Sequence, residues 1–169
     1  MNQNNILLEQ YAMITDYPNY AVSSYGKVIN ITTGRILKPR KNRDGYYYVN
    51  LYKNKVMFYK KIHRLVTITF LNNPENKKCT DHIDRNRLNN NILNLRYATR
   101  SENNQNVSIK KNNTSTCSGV SFHKKSDKWC VQITINGTRT HIGYYANFDD
   151  AVTIRKEQEK IHYKEFQAI

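Results

Sequence analysis

The sequence predicts an α+β chain of three small modules: a β-rich N-terminal unit over residues 10–58, a central strand–loop–strand–helix unit over 59–108, and a three-stranded antiparallel sheet packed on one helix over 117–169. Three observations predict it. Period-two alternation broken by glycine turns runs through both ends of the chain. Between them the apolar period lengthens to that of a helix. A hydrophobic share of 38% with a mean hydropathy of −0.79 is lean for one deep core and suits several thin ones.

The Asn-rich start, Met1 to Asn5, carries no periodic pattern and predicts a frayed end, with order beginning near Tyr11. Residues 21–24, 27–30 and 46–52 read as short strands separated by Gly26, Gly34 and Asp44-Gly45. In the last of these, Tyr47, Val49 and Leu51 take the core face, and Tyr46, Tyr48, Asn50 and Tyr52 the other. The period changes at Ile62, because Ile62, Leu65, Val66, Thr69 and Phe70 form a helical stripe, which Asn73-Pro74 ends. A strand around 78–82 follows, then an Asn/Arg-rich loop, then a returning strand from Asn94 to Ala98. Thr99-Arg100-Ser101-Glu102 matches a capping box, so a helix begins there with Glu102, Asn103 and Asn106 in its opening turns.

Residues 109–116 are polar and basic, and Lys110 to Thr114 read as a linker. Beyond it, Trp129, Val131 and Ile133 alternate with Cys130, Gln132 and Thr134, and Asn136-Gly137 is a strong hairpin signal before Arg139 to Tyr145. With Gly119 to His123 these make three antiparallel strands. Asn147-Phe148-Asp149-Asp150 then caps a helix that turns Ala151, Ile154, Gln158 and Ile161 inward.

Charge narrows the function. The 27 Lys and Arg against 13 Asp and Glu leave +14, an excess that points to a polyanionic partner. No window holds the roughly 18 apolar residues of a spanning helix, and the N-terminus has no apolar signal region, so an intracellular protein without a membrane role is expected, acting wherever its target lies. Cys79, Cys117 and Cys130 form no C-x-x-C pair and have no histidine at zinc-finger spacing, which predicts free thiols.

The densest polar cluster runs Asp81-His82-Ile83-Asp84-Arg85-Asn86-Arg87-Leu88-Asn89-Asn90-Asn91-Ile92-Leu93-Asn94-Leu95-Arg96. With His63-Arg64-Leu65-Val66, Asn73-Pro74 and Glu102-Asn103 around it, this order resembles the HNH nucleases of the phage and intron-homing type. The resemblance implies a ββα-metal site in which strand, strand and helix bring Asp81, His82, Asn94 and Asn103 together. Phosphodiester hydrolysis needs an activated water, a counter-charge for the phosphorane-like state and stabilisation of the leaving oxygen. His82 suits the base, while Asp81 and the amide carbonyl of Asn103 suit one Mg²⁺ or Mn²⁺ ion per site, with Asn106, one helical turn on, as the alternative ligand. Asn94 is implied to hold the loop and fix the His82 ring. His63 is implied to belong to the scaffold, outside the catalytic set. Arg85 and Arg87 are candidate phosphate contacts.

Tyr17-Pro18-Asn19-Tyr20 through Lys27-Val28, with Gly45-Tyr46-Tyr47, resembles the modular element found before HNH nucleases, and its basic stretch of Lys38, Arg40, Lys41 and Arg43 suits backbone contact with DNA. Residues 118–151 resemble the apetala/ethylene-response-factor DNA-binding domain, which implies a sheet laid in the major groove. Alternation then turns Trp129, Val131 and Ile133 to the helix and Ser121, His123, Gln132, Thr134, Arg139 and His141 to DNA, with Arg139 as the best base reader. The expected protein is a site-directed homing endonuclease that nicks one strand of an extended, asymmetric double-stranded DNA target as a monomer. The alternative is a regulator derived from such a nuclease that binds its site without cutting.

Overall fold

The computed structural model describes residues 8–109 and 113–166. The start of the expected frayed end (1–7), the middle of the expected linker (110–112) and residues 167–169 lie outside the described residues. The chain divides into two compact units, Met1–Ala98 and Thr99–Ile169. Its mixed α+β architecture, with several small sheets and helices, is the class the sequence predicts.

In the first unit, β1 (Tyr11–Ile14), β2 (Tyr17–Ser23) and β3 (Val28–Asn30) form one antiparallel sheet. A second sheet holds β4 (Arg40–Lys41), β5 (Tyr47–Lys53) and β6 (Val56–Lys61). Helix α1 (Ile62–Phe70) continues β6 without a loop, and β7 (Cys79–His82) pairs with β8 (Leu95–Ala98) as a hairpin. Strands β1, β4 and β6 are absent from the sequence reading. Met13 on β1 and Val56, Met57 and Phe58 on β6 are exposed, β4 holds only Arg40 and Lys41, and pairing to β2 and β5 makes all three strands.

The two sheets and α1 share one core. Val22 and Val28 meet Val49 and Leu51, and the helical stripe supplies Ile62, Leu65 and Val66. Burial of each such side chain stabilises by about 1.5–3 kcal/mol. The expected core face of β5 is present: Val49 and Leu51 are buried and Tyr47 packs at the cluster's edge. Thr67 ties α1 to the hairpin, its hydroxyl lying 3.1 Å from the His63 carbonyl and 3.1 Å from the Thr80 hydroxyl on β7.

The second unit opens with α2 (Arg100–Gln105), which the sequence places correctly. The Thr99 hydroxyl accepts from the Glu102 amide at 3.2 Å, and the Glu102 carboxylate accepts from the Thr99 amide at 2.6 Å. Asn106 is the C-cap, not part of an opening turn. Strands β9 (Val120–His123), β10 (Lys128–Ile135) and β11 (Thr138–Tyr145) form an antiparallel sheet, with α3 (Phe148–Tyr163) packed on it. Asn136 and Gly137 have φ of 50° and 82°, the signature of the tight hairpin their sequence announced.

The inner face of α3 differs from the expected stripe. Ala151, Arg155 and Tyr163 are buried, whereas Ile161 is 59% exposed. Arg155 replaces an aliphatic residue there because its stem can cover apolar surface while its Nε donates to the Ser118 carbonyl at 2.9 Å and its Nη2 pairs with Glu159 at 3.0 Å. Gly119 makes room for this arrangement: a Cβ at its φ of +78° would clash with the Arg155 Nε and with the Gln132 carbonyl. Among the described residues no helix is long and apolar enough to cross a membrane, and all three cysteines are free.

Candidate active site

The hairpin of β7 and β8 sets Asp81 opposite Arg96 and His82 opposite Leu95. Asp81 and His82 are only 4% and 5% exposed. A buried carboxylate is costly unless paired, and Arg96 supplies the pairing from across the hairpin. Its Nε and Nη2 both donate to one oxygen of Asp81, at 2.9 and 2.7 Å. Arg96 had no assigned role in the sequence reading, although its register opposite Asp81 follows from the pairing of the two strands.

The loop between the strands is held by its own amides. Asn94, the last residue of a 3-10 turn just before β8, is buried and bonds three ways: its Oδ1 accepts from the Asp84 amide at 2.9 Å, and its Nδ2 donates to the Asp84 carboxylate at 2.8 Å and the Asn89 carbonyl at 2.9 Å. Asp84 also accepts from the Asn86 amide at 2.7 Å and the Asn89 side chain at 2.7 Å. Burial pushes the Asp84 carboxyl up, but the bonds from Asn89, Asn86 and Asn94 outweigh it and hold the pKa below its ordinary value.

Asn90 reaches the His82 ring, its Oδ1 lying 3.4 Å from Nε2 while its Nδ2 donates to the Leu88 carbonyl at 3.3 Å. An amide oxygen only accepts, so this contact calls for the hydrogen on Nε2 and the lone pair on Nδ1. Burial lowers the His82 pKa from its ordinary value, beyond what the Asn90 bond and the charges of Asp84 and Asp81 restore. The ring is therefore neutral at pH 7, as a proton acceptor must be. Gly26 permits the approach: with φ of +84°, a Cβ there would meet the Asn90 Cβ at 2.8 Å.

Two residues left out of the site by the sequence reading stand beside His82. His63, 5% exposed, sits 5.1 Å from it between ring centroids, and the Nδ1 of His63 is buried without a hydrogen-bond partner. Tyr46, expected on an outer face, lies 4.8 Å from the His63 ring and 5.9 Å from that of His82. Lys61 and Arg87 lie over the Tyr46 ring, at 4.7 and 5.0 Å. Arg87 also donates to the Asp44 carbonyl at 2.7 Å, which ties the polar loop to the turn before β5. His63 carries a signal in sequence, since it follows Ile62 on a helix whose one face is apolar. Tyr46 carries none, because its contacts are made far along the chain.

Among the described residues no group of three or more His, Cys, Asp and Glu could hold a metal ion. The oxygen donors near His82 are the carboxylates of Asp81 and Asp84 and amide carbonyls, a set that suits a hard cation keeping most of its waters and taking oxygens from its substrate. Asn103 is half-buried on α2, in the second unit, and Asn106 at the end of that helix is buried. Of the expected cations, Arg40, Lys41 and Arg43 are exposed, the first two on β4, and Arg85 is half-buried at a φ of +62°. A groove of about 550 Å³ lined by Arg35, Lys38, Arg40 and Tyr52 adjoins β4.

In the sheet of the second unit, Cys130, which alternation places on the outer face, is buried. Val131 and Ile133 are buried and Trp129 meets Phe148 of α3 at 4.7 Å. Ser121, Thr134, Arg139 and His141 are exposed, and His123 and Gln132 half-buried. A bulge after Val131 sets Gln132 opposite His141 and Thr134 opposite Arg139. Tyr144, given no role by the sequence, stands 5.2 Å from the His123 ring and 4.7 Å from that of His141.

Residues 9–52 match the NUMOD4 motif, and residues 60–105, which contain both strands of the hairpin and the loop between them, match the HNH endonuclease model. The chain carries a NUMOD4 motif and an HNH endonuclease domain. An HNH endonuclease of Acanthamoeba polyphaga mimivirus, described as uncharacterized, is 45% identical over 93 residues, 53% of this chain and 23% of that protein. The DNA endonuclease I-HmuI of Bacillus phage SP01 is 38% identical over 88 residues, 52% of this chain and 51% of that one. A solved structure described as DNA binding and cleavage by the HNH homing endonuclease I-HmuI superposes with a TM-score of 0.55 at 25% identity, covering 92% of this chain and 94% of that one. The chain spans about a quarter to about half the length of the first curated relatives it matches. The HNH domain thus holds Asp81, His82, Asn94 and Asn103, and the NUMOD4 motif holds Arg40, Lys41, Arg43 and Tyr46. Residues 117–169 lie beyond both matches.

Proposed function

We propose that the chain is a site-directed DNA endonuclease of the HNH homing type, which nicks one strand of an extended, asymmetric duplex with the help of one Mg²⁺ or Mn²⁺ ion. The observation that carries this reading is the buried Asp81–His82 pair inside the HNH domain, with His82 neutral and its ring hydrogen-bonded by Asn90. The relatives named HNH or homing endonucleases support the same reading.

His82 takes the proton from the attacking water through the nitrogen that keeps its lone pair, and Asn90 holds the ring. Asn94 locks the loop that carries Asp84 and so fixes where β7 ends. Asp81 and Asn103, or Asn106 in its place, hold the cation. That ion, when bound, neutralises charge on the phosphoryl oxygens and on the leaving oxygen. Arg85 and Arg87 contact phosphates beside the scissile bond, and Arg40, Lys41 and Arg43 of the NUMOD4 motif contact the backbone further along. The sheet of residues 117–169 acts as an apetala/ethylene-response-factor-type reader, with Arg139, His141, Gln132, Ser121 and His123 toward the groove. A single hairpin site acts on one strand at a time, which makes nicking by a monomer the expected outcome.

The test is to incubate the protein with a randomised supercoiled plasmid library, with Mg²⁺ or EDTA and with wild type or His82→Ala, and to map the nicks. Nicks clustered at one extended sequence, present only with metal and His82, are expected. Sequence-selective retention of uncut DNA by the wild type in Mg²⁺ would replace the nuclease with a DNA-binding regulator.

A further inference from the structure

A groove of about 530 Å³ in the first unit runs between the β1–β2 turn, the end of β6, the outer face of α1 and the loop before β7. Five cations line it, Lys60, Lys61, Arg64, Lys77 and Lys78, against the single carboxylate of Asp16. Four of the five are half-buried, so less water screens their mutual repulsion. Lys60 is held in place, its ammonium 5.0 Å from the Tyr17 ring centre and 5.9 Å from that of Phe58. Lys77 lies 3.5 Å from Glu75 on the adjacent loop. The wall is apolar as well as basic, for Ile68 projects from α1 off its core stripe and is 64% exposed.

Lys61 links the groove to the hairpin site: it lines the groove and lies over the Tyr46 ring, which in turn meets His82. A basic rim over an apolar wall matches one chemistry in particular: a sugar–phosphate strand, with phosphates on the ammonium groups and the apolar face of each deoxyribose on the side chains between them. An acidic peptide would satisfy the rim without calling for a track that ends at a phosphodiester-cleaving site.

We propose that this groove is a backbone track for the DNA strand leaving the scissile phosphate, with Lys60, Lys77 and Lys78 as its outer phosphate contacts and Ile68 as its sugar-packing wall. The proposal rests on the nuclease reading above and adds a binding surface made of residues outside the catalytic set. Each phosphate neutralised on duplex DNA contributes about 0.9 to the slope of log affinity against log salt concentration. The track therefore accounts for two to three units of that slope.

The experiment measures binding of a fluorescent duplex over a range of salt concentrations in EDTA, for the full chain and for Lys60→Gln/Lys77→Gln/Lys78→Gln, alongside metal-dependent nicking of plasmid at low salt. The expected result is a slope reduced by about two to three, binding near physiological salt weakened roughly tenfold or more, and nicking at low salt retained. Ile68→Glu and Ile68→Lys form a second pair at an exposed position, the first expected to weaken binding and the second to keep or tighten it. An unchanged slope in the triple variant, or equal binding by the two Ile68 variants, overturns the track. A wild type that binds duplex but never nicks overturns the nuclease reading and leaves the track to be decided by the slope. A wild type that binds an acidic peptide in preference to duplex overturns both.

Discussion

The His63 imidazole stands edge-on to that of His82, with ring centroids 5.1 Å apart and the planes at 79°. Burial, followed by the charges of His82, Lys61 and Arg64, drives the His63 pKa down from 6.5 to about 3. The ring next to His82, the proposed base, is therefore neutral throughout the working range and puts no second positive charge beside it.

That arrangement makes stability depend on pH with a definite sign. A histidine whose folded pKa lies below its unfolded value is protonated first in the unfolded chain, so stability is full above about pH 6.5 and falls as pH drops toward about 3. His63 alone contributes a slope of about 1.4 kcal/mol per pH unit across that window. Denaturant titrations from pH 7.5 to 4.5 are expected to show this loss in the wild type and a shallower one in His63→Phe. Identical slopes in the two proteins would remove His63 from the account.

The Asn90 Oδ1, 3.4 Å from the Nε2 of His82, favours the hydrogen on that nitrogen. Asn90→Ala is expected to slow nicking about 10- to 100-fold while leaving duplex affinity in EDTA unchanged. Single-turnover nicking beside equilibrium binding separates the two effects, and a matched loss in both would show that Asn90 supports the fold and not the base.

Gly26 connects the NUMOD4 motif to the nuclease site through contact alone. An alanine there needs a strained backbone at φ of +84° and puts its Cβ 2.8 Å from that of Asn90. Gly26→Ala is expected to cost about 1–3 kcal/mol of stability and to slow nicking further at temperatures where the protein stays folded. Normal nicking in the folded variant would mean that Asn90 can retreat without disturbing His82.

Arg139 and Tyr144 test the sheet of the second unit. Arg139→Ala is expected to cost about 1–3 kcal/mol of discrimination at one base pair, and Tyr144→Ala to release the His123 and His141 rings that meet it. Sequencing of nicks from a randomised library reads both effects as a loosened motif at an unchanged cutting rate per bound complex.

Much of this protein is written in short-range pattern. The stripe from Ile62 to Phe70, the Thr99–Glu102 capping box and the Asn136-Gly137 turn each act within a few residues, so each element stands where the sequence puts it. The adjacent Asp81 and His82 were legible for the same reason, since neighbours on one strand need no fold to be brought together. The strands β1, β4 and β6 were not legible, because β4 is exposed, β1 buries Ile14 alone and β6 buries no side chain, so pairing with β2 and β5 defines them.

What surrounds His82 was decided by tertiary structure. Tyr46 arrives from the NUMOD4 motif, His63 from α1 and Lys61 from the end of β6, and no spacing along the chain encodes their meeting. In the sequence by itself, residue type and near neighbours single out the groups proposed for the chemistry, because reactivity is a local property. The tertiary structure decided their charge states and their company: burial makes His63 and His82 neutral, and burial is a property of the packed core.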